Sequence, residues 1–175
     1  WQAITIRGYN MSLVWEEMTI QEKMAVKAIS EHSFEGFLRC WFQITQGERY
    51  IPNWHHKYLC RIIDEIIAGE RKDTIINIAP GSGKTEITSI HFPVYSMLKL
   101  KKVRNLNISF ADSNVKRNSK RVRDLISSKE FQELWPCKFG TNKDDEIQIV
   151  DDSGKVRFES ISASKGGRIT GTRGG

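Results

Sequence analysis

No stretch of the chain approaches the roughly 20 consecutive apolar residues that a membrane-spanning helix needs. The opening residues, WQAITIRGYN, lack both the apolar run and the cleavage site of a secretory signal. Cysteine is scarce: Cys40, Cys60 and Cys137 are odd in number and widely spaced, which suits neither a disulfide framework nor a zinc site. Reduced thiols in a cytosolic setting are therefore expected. Internal repeats and low-complexity blocks are also missing. Neither sign of charge dominates: 27 Lys+Arg face 21 Asp+Glu, and the net +6 is a mild pointer to a polyanionic partner. What remains is 175 residues, 39% of them hydrophobic, enough for one domain with a true core. The chain starts without Met and is expected to be a piece of something longer.

Residues 1–18 show no clear period and are expected to form an arm. Thr19 and Glu22 make a capping-box pattern, which predicts a helix from about 19 to 31. Ser33 is placed to cap a second helix, whose Phe34, Phe37, Leu38, Trp41 and Phe42 recur at helical spacing as a core stripe. Asn53 precedes a third, with Leu59, Ile62, Ile63, Ile66 and Ile67 on one face and Gly69 as its stop. TIINIA, residues 74–79, has the β-branched character of a buried strand. A helical pattern containing Pro93 comes next, then a strand over 105–110 and an amphipathic helix over 114–126. EIQIV, DDSG and KVRFESI predict two strands around a tight turn. The order predicts an α/β domain with a mostly parallel sheet flanked by helices, a helical lead-in over 1–48, a main domain over 49–175 and a hairpin near its end.

Between the expected strand and helix stands APGSGKTE. A phosphate-binding loop of the Gly-x4-Gly-Lys-Ser/Thr kind would begin with Gly at position 78, where this chain has Ile78. The physics does not depend on that glycine. Consecutive amides around Gly81, Ser82, Gly83, Lys84 and Thr85 can form a concave anion nest with a helix start aimed at it. Lys84 would reach the outer phosphates of ATP, and the Thr85 hydroxyl would ligate Mg2+. Pro80 and Glu86 flank this nucleotide-binding stretch. The partner carboxylate is harder to find. Asp151 and Asp152 follow an apolar run, but Asp-Asp-Ser-Gly is turn chemistry, so a hairpin is the expectation there.

Taken in order, WHHKYLCRIIDEIIAG, INIAPGSGKTE, the helix with HFP, ISFADSNVKRNSKRVRDLI, SKEFQELWP and GGRITGTRGG resemble the large terminase subunit of tailed bacteriophages, over about residues 50–175. That family is the ATP-driven motor that packages DNA, and the resemblance implies a P-loop NTPase fold. It also implies double-stranded DNA, a portal protein and a small terminase subunit as partners, with a homo-oligomeric ring in the host cell cytoplasm. Departure at the first loop glycine occurs in the family. Its magnesium and catalytic acids stand on a strand shortly after the Ile-Thr-Gly-x-Arg-Gly stretch, hence beyond Gly175 here, with a nuclease domain further on. Residues 1–175 alone are expected to bind nucleotide weakly and hydrolyse it poorly.

The same resemblance implies an adenine contact ahead of the loop, near His55 or His56, with Tyr50 and Trp54 available to stack. The competing expectation is that Tyr50 and Trp54 staple the helix start while both histidines face solvent. It implies an arginine finger as well, with Arg173 the first choice and Arg168 and Lys165 as rivals. On the helix over 114–126, Val115, Val122, Leu125 and Ile126 would face the core. Lys116, Arg117, Lys120, Arg121 and Arg123 cover much of the rest, as a solvated face or as sequence-independent contacts to DNA phosphates. A helicase-like motor and a nucleotide- or nucleic-acid-binding module without catalysis remain open alternatives.

Overall fold

The computed structural model describes residues 14–164, so Lys165, Arg168 and Arg173 lie outside the described residues, as does the expected arm up to position 13. From Trp15 onward the chain is anchored rather than an arm. Trp15 is 3% exposed in a short 3-10 turn, Trp15–Glu17, and its indole donates to Glu133 at 2.8 Å.

Helix α1 (Ile20–His32) begins as its cap residues predict. The Thr19 hydroxyl accepts the Glu22 amide at 3.3 Å, and the Glu22 carboxylate accepts the Thr19 amide at 2.8 Å. Helix α2 (Phe34–Gln46) follows at once, because Ser33 ends one helix and caps the next, accepting the Gly36 amide at 3.1 Å. The two helices cross so closely that a Cβ at Gly36 would stand 2.4 Å from the Ile29 carbonyl oxygen. Only glycine fits there. The aromatic stripe of α2 is buried through Phe34, Phe37, Leu38 and Trp41, while Phe42 is half-buried.

Helix α3 (Trp54–Ile67) buries Leu59, Cys60, Ile62 and Ile63. Its Asp64 ties three helices together, accepting the Phe34 amide at 3.0 Å and the Tyr95 hydroxyl at 2.9 Å. Tyr95 belongs to helix α4 (Phe92–Lys99), which continues a π-helical stretch, Glu86–His91, with Pro93 just past the junction of the two. Helix α5 (Asp112–Ser127) turns Val115, Val122, Leu125 and Ile126 inward as predicted. A short helix α6 (Lys129–Leu134) adds Phe131 to the aromatic core. One hydrophobic cluster therefore runs from α1 and α2 through α4 and α5 into the sheet, so the lead-in and the rest share a core.

The strands are β1 (Val103–Ser109), β2 (Lys138–Asn142), β3 (Glu146–Val150) and β4 (Val156–Ser164). Their order is β1-β4-β3-β2. Only β1 and β4 are parallel, whereas β4 with β3 and β3 with β2 are antiparallel. The α/β class holds, but the mostly parallel sheet is corrected to a small mixed one. The hairpin over β3 and β4 forms as expected, with Asp151 accepting the amides of Ser153 at 2.9 Å and Lys155 at 3.0 Å. Strand β2, carried by the unpromising KFGTN, extends that hairpin and tips the balance toward antiparallel pairing.

A second correction concerns TIINIA, which forms no strand. Its side chains alternate as an extended chain does: Thr74, Ile76 and Ile78 are half-buried, while Ile75 is 96% exposed. A strand exists only through pairing, and here a cleft of about 460 Å³ separates Thr74 and Ile76 from Asn105, Leu106, Asn107 and Ile108 of β1. Propensity put the segment beside the sheet without giving it a hydrogen-bonding neighbour.

Candidate nucleotide site

Extended residues 74–79 deliver the chain to the loop, and the helical turn starting at Lys84 carries it away. Between them Gly81 and Gly83 adopt φ +77° and +72°, the left-handed region that a side chain disfavours. Two such residues flanking Ser82 fold the backbone into a tight bend. Lys84 reaches back across it, its ammonium donating to the Ile78 carbonyl at 2.6 Å. Ile78, which replaces the usual first glycine, thus serves through its backbone and packs its side chain on the core. Pro80, Gly81 and Thr85 are exposed, so the outer face of the bend is open to a ligand. The first amides of the following helix have no preceding helical carbonyl to pair with, as at any helix start.

Thr85, the residue expected to ligate magnesium, is exposed beside the bend. Among the described residues no group of three His, Cys, Asp or Glu is assembled to hold a metal ion. The acid nearest in sequence, Glu86, is engaged elsewhere: its carboxylate is paired with Arg121 of α5. Its main-chain carbonyl accepts from His91 Nδ1 at 2.8 Å. Burial pushes His91 down to about 4, so the imidazole is neutral and its 3.8 Å approach to the Glu86 carboxylate is not an ion pair.

The upstream residues do not sit as one group. Trp54 is 76% exposed, whereas Tyr50 lies between Phe42 and His56, at ring separations of 5.2 and 5.6 Å. The Tyr50 hydroxyl is buried without a hydrogen-bond partner, and burial raises its ionisation above the ordinary phenol range. His55 meets His56 edge-on, with ring centroids 4.1 Å apart, and its Nε2 is also buried and unpartnered. His56 touches the loop itself: its Nε2 is 3.0 Å from the Ser82 carbonyl. The resemblance implies both histidines near the site but gives no sign of that contact.

On α5 the basic residues divide. Lys116 pairs with Asp112 at 2.9 Å and Arg123 with Asp144 at 3.1 Å, while Arg117 bonds Asn114 at 3.1 Å. Lys116, Arg117 and Lys120 are exposed; Arg121 is turned toward Glu86 and only 29% exposed. The link from Glu86 to Arg121, which joins the loop's helix to the basic helix, had no signal in the sequence because it crosses 35 residues. All three cysteines are free thiols, and burial pushes Cys40 up to about 11 and Cys60 up to about 12, which makes them inert. No described helix is long and apolar enough to cross a membrane. The chain matches no protein-family model, no curated protein and no solved structure.

Proposed function

We propose that this chain is the nucleotide-binding part of an ATP-driven DNA-translocating motor of the large-terminase kind, with ATP held on Gly81–Thr85. One observation carries the reading: two left-handed glycines shape a bend at a helix start, and an ammonium group already spans that bend. A triphosphate would accept from the bend's amides while Lys84 exchanges the Ile78 carbonyl for phosphate oxygens. Mg2+, held by Thr85 and the phosphates, would supply charge neutralisation. Hydrolysis further needs a carboxylate to orient water, and the resemblance expects it beyond Gly175. The cleft between Thr74 and Ile76 and β1, beside the unpaired edge of β1 among the described residues, is where a further strand would extend the sheet. Filling it would bring the sheet toward a P-loop NTPase arrangement.

For DNA, the exposed Lys116, Arg117 and Lys120 supply sequence-independent phosphate contacts, while Arg121 is committed to Glu86. That commitment of the acid next to the loop favours a second reading, a nucleotide-binding module without catalysis. Calorimetry on the full-length protein with magnesium and a non-hydrolysable ATP analogue tests both. Heat that disappears in Lys84→Ala, together with steady ATP turnover by the wild type, upholds the motor. Binding without turnover leaves the module, and no heat at all overturns the loop.

A further inference from the structure

We propose that His56 is a positioning residue for the phosphate loop, resting on the nucleotide-binding reading above. Its two ring nitrogens have fixed and different duties. The Asn53 amide donates to Nδ1 at 3.0 Å, and an N–H can only donate, so Nδ1 carries no proton. The neutral ring therefore bears its proton on Nε2, which donates to the Ser82 carbonyl at 3.0 Å. One imidazole thereby couples the N-terminal cap of α3 to the middle of the bend. A glutamate at this helix position could cap equally well but could not donate onward to a carbonyl.

The consequence for phosphate follows from the planarity of the peptide unit. In a trans peptide the C=O and N–H point in opposite directions, so holding the Ser82 carbonyl toward α3 turns the Gly83 N–H away from it, to the open side of the bend. His56 thus orients an amide that it does not touch. The fit is close: a Cβ on Gly83 would lie 3.2 Å from His56 Nε2, so absence of a side chain at 83 is what lets the ring approach. Tyr50 and His55, at ring separations of 5.6 and 4.1 Å, hold the imidazole in place from its own side. With this bond the bend is organised before ligand arrives, and binding loses less conformational entropy.

Two substitutions separate the cap from the loop contact. The short amide of His56→Asn can accept the Asn53 N–H but cannot reach Ser82; the longer amide of His56→Gln places a donor near the position of Nε2. In the full-length protein with magnesium and a non-hydrolysable ATP analogue, His56→Asn is expected to weaken binding about tenfold with its thermal midpoint almost unchanged. His56→Gln should return the affinity to within about threefold of wild type. Wild-type affinity in His56→Asn, or equal losses in both variants, overturns the positioning role. If the wild type itself binds no analogue, and so resembles Lys84→Ala, the nucleotide reading fails and this inference with it.

Discussion

The aromatic helical side of the molecule and its loop-and-edge side are built on opposite terms. Around Trp41, fully buried, the rings of Trp15, Phe37, Phe131 and Trp135 pack at 5.2–6.4 Å, and its indole donates to Ser30 at 3.1 Å. The indole of Trp41 is thus both packed and hydrogen-bonded. Across the molecule, residues 74–85 leave Ile75 in solvent and a bend with an open face, and the facing edge of β1 has no strand neighbour among the described residues. One region holds the stability, and the other keeps the unspent hydrogen-bonding capacity that binding uses.

The sharpest way to break this contrast is Trp41→Ala, expected to cost about 3–5 kcal/mol in denaturant unfolding. A loss below about 1 kcal/mol would mean the ring cluster is not the centre of the core. Acid titration is next in size. His91 is held neutral with its ionisation depressed from 6.5 to about 4, so its stabilising contribution is complete above pH 6.5 and falls as pH drops toward 4. The loss amounts to roughly 3 kcal/mol across that window, and His91→Leu should flatten it. Unfolding curves between pH 7 and 4 that are identical in the two proteins would contradict this.

On the open side, Lys84→Ala should weaken nucleotide affinity about 100-fold while changing unfolding free energy by less than about 1 kcal/mol. A large stability loss instead would make the Ile78 contact structural. Asp64→Ala, which strips acceptors from the Phe34 amide and the Tyr95 hydroxyl, should cost about 2 kcal/mol and leave nucleotide affinity alone. Smallest in stability terms is the double change of Lys116 and Lys120 to Ala, within about 0.5 kcal/mol of wild type. Its effect belongs to DNA-stimulated ATPase in the full-length protein; unchanged stimulation removes the basic helix from the DNA path.

Much of the architecture was legible. Thr19 with Glu22, Ser33 and Asn53 mark helix starts through bonds that form within a few residues, and the structure has helices at each. The β3–β4 turn was legible for the same reason, since Asp151 supplies its own acceptor. TIINIA was misread because β-branched residues favour an extended backbone but cannot supply a pairing partner. KFGTN was overlooked because it has little propensity and gains its strand from β3. At the site, glycines in the bend and the lysine beyond it were legible, while the contacts of His56 with Ser82 and of Arg121 with Glu86 were not.

The order of residues by itself determined the helix caps, the inward stripes and a bend with glycines where the backbone turns left-handed, because these depend on torsions and neighbours a turn apart. Folding in three dimensions decided which strands pair, which acid meets which arginine and which histidine supports the bend. Those outcomes join residues that are 26 to 35 positions apart in the cases of His56–Ser82 and Arg121–Glu86, a separation that no local periodicity encodes.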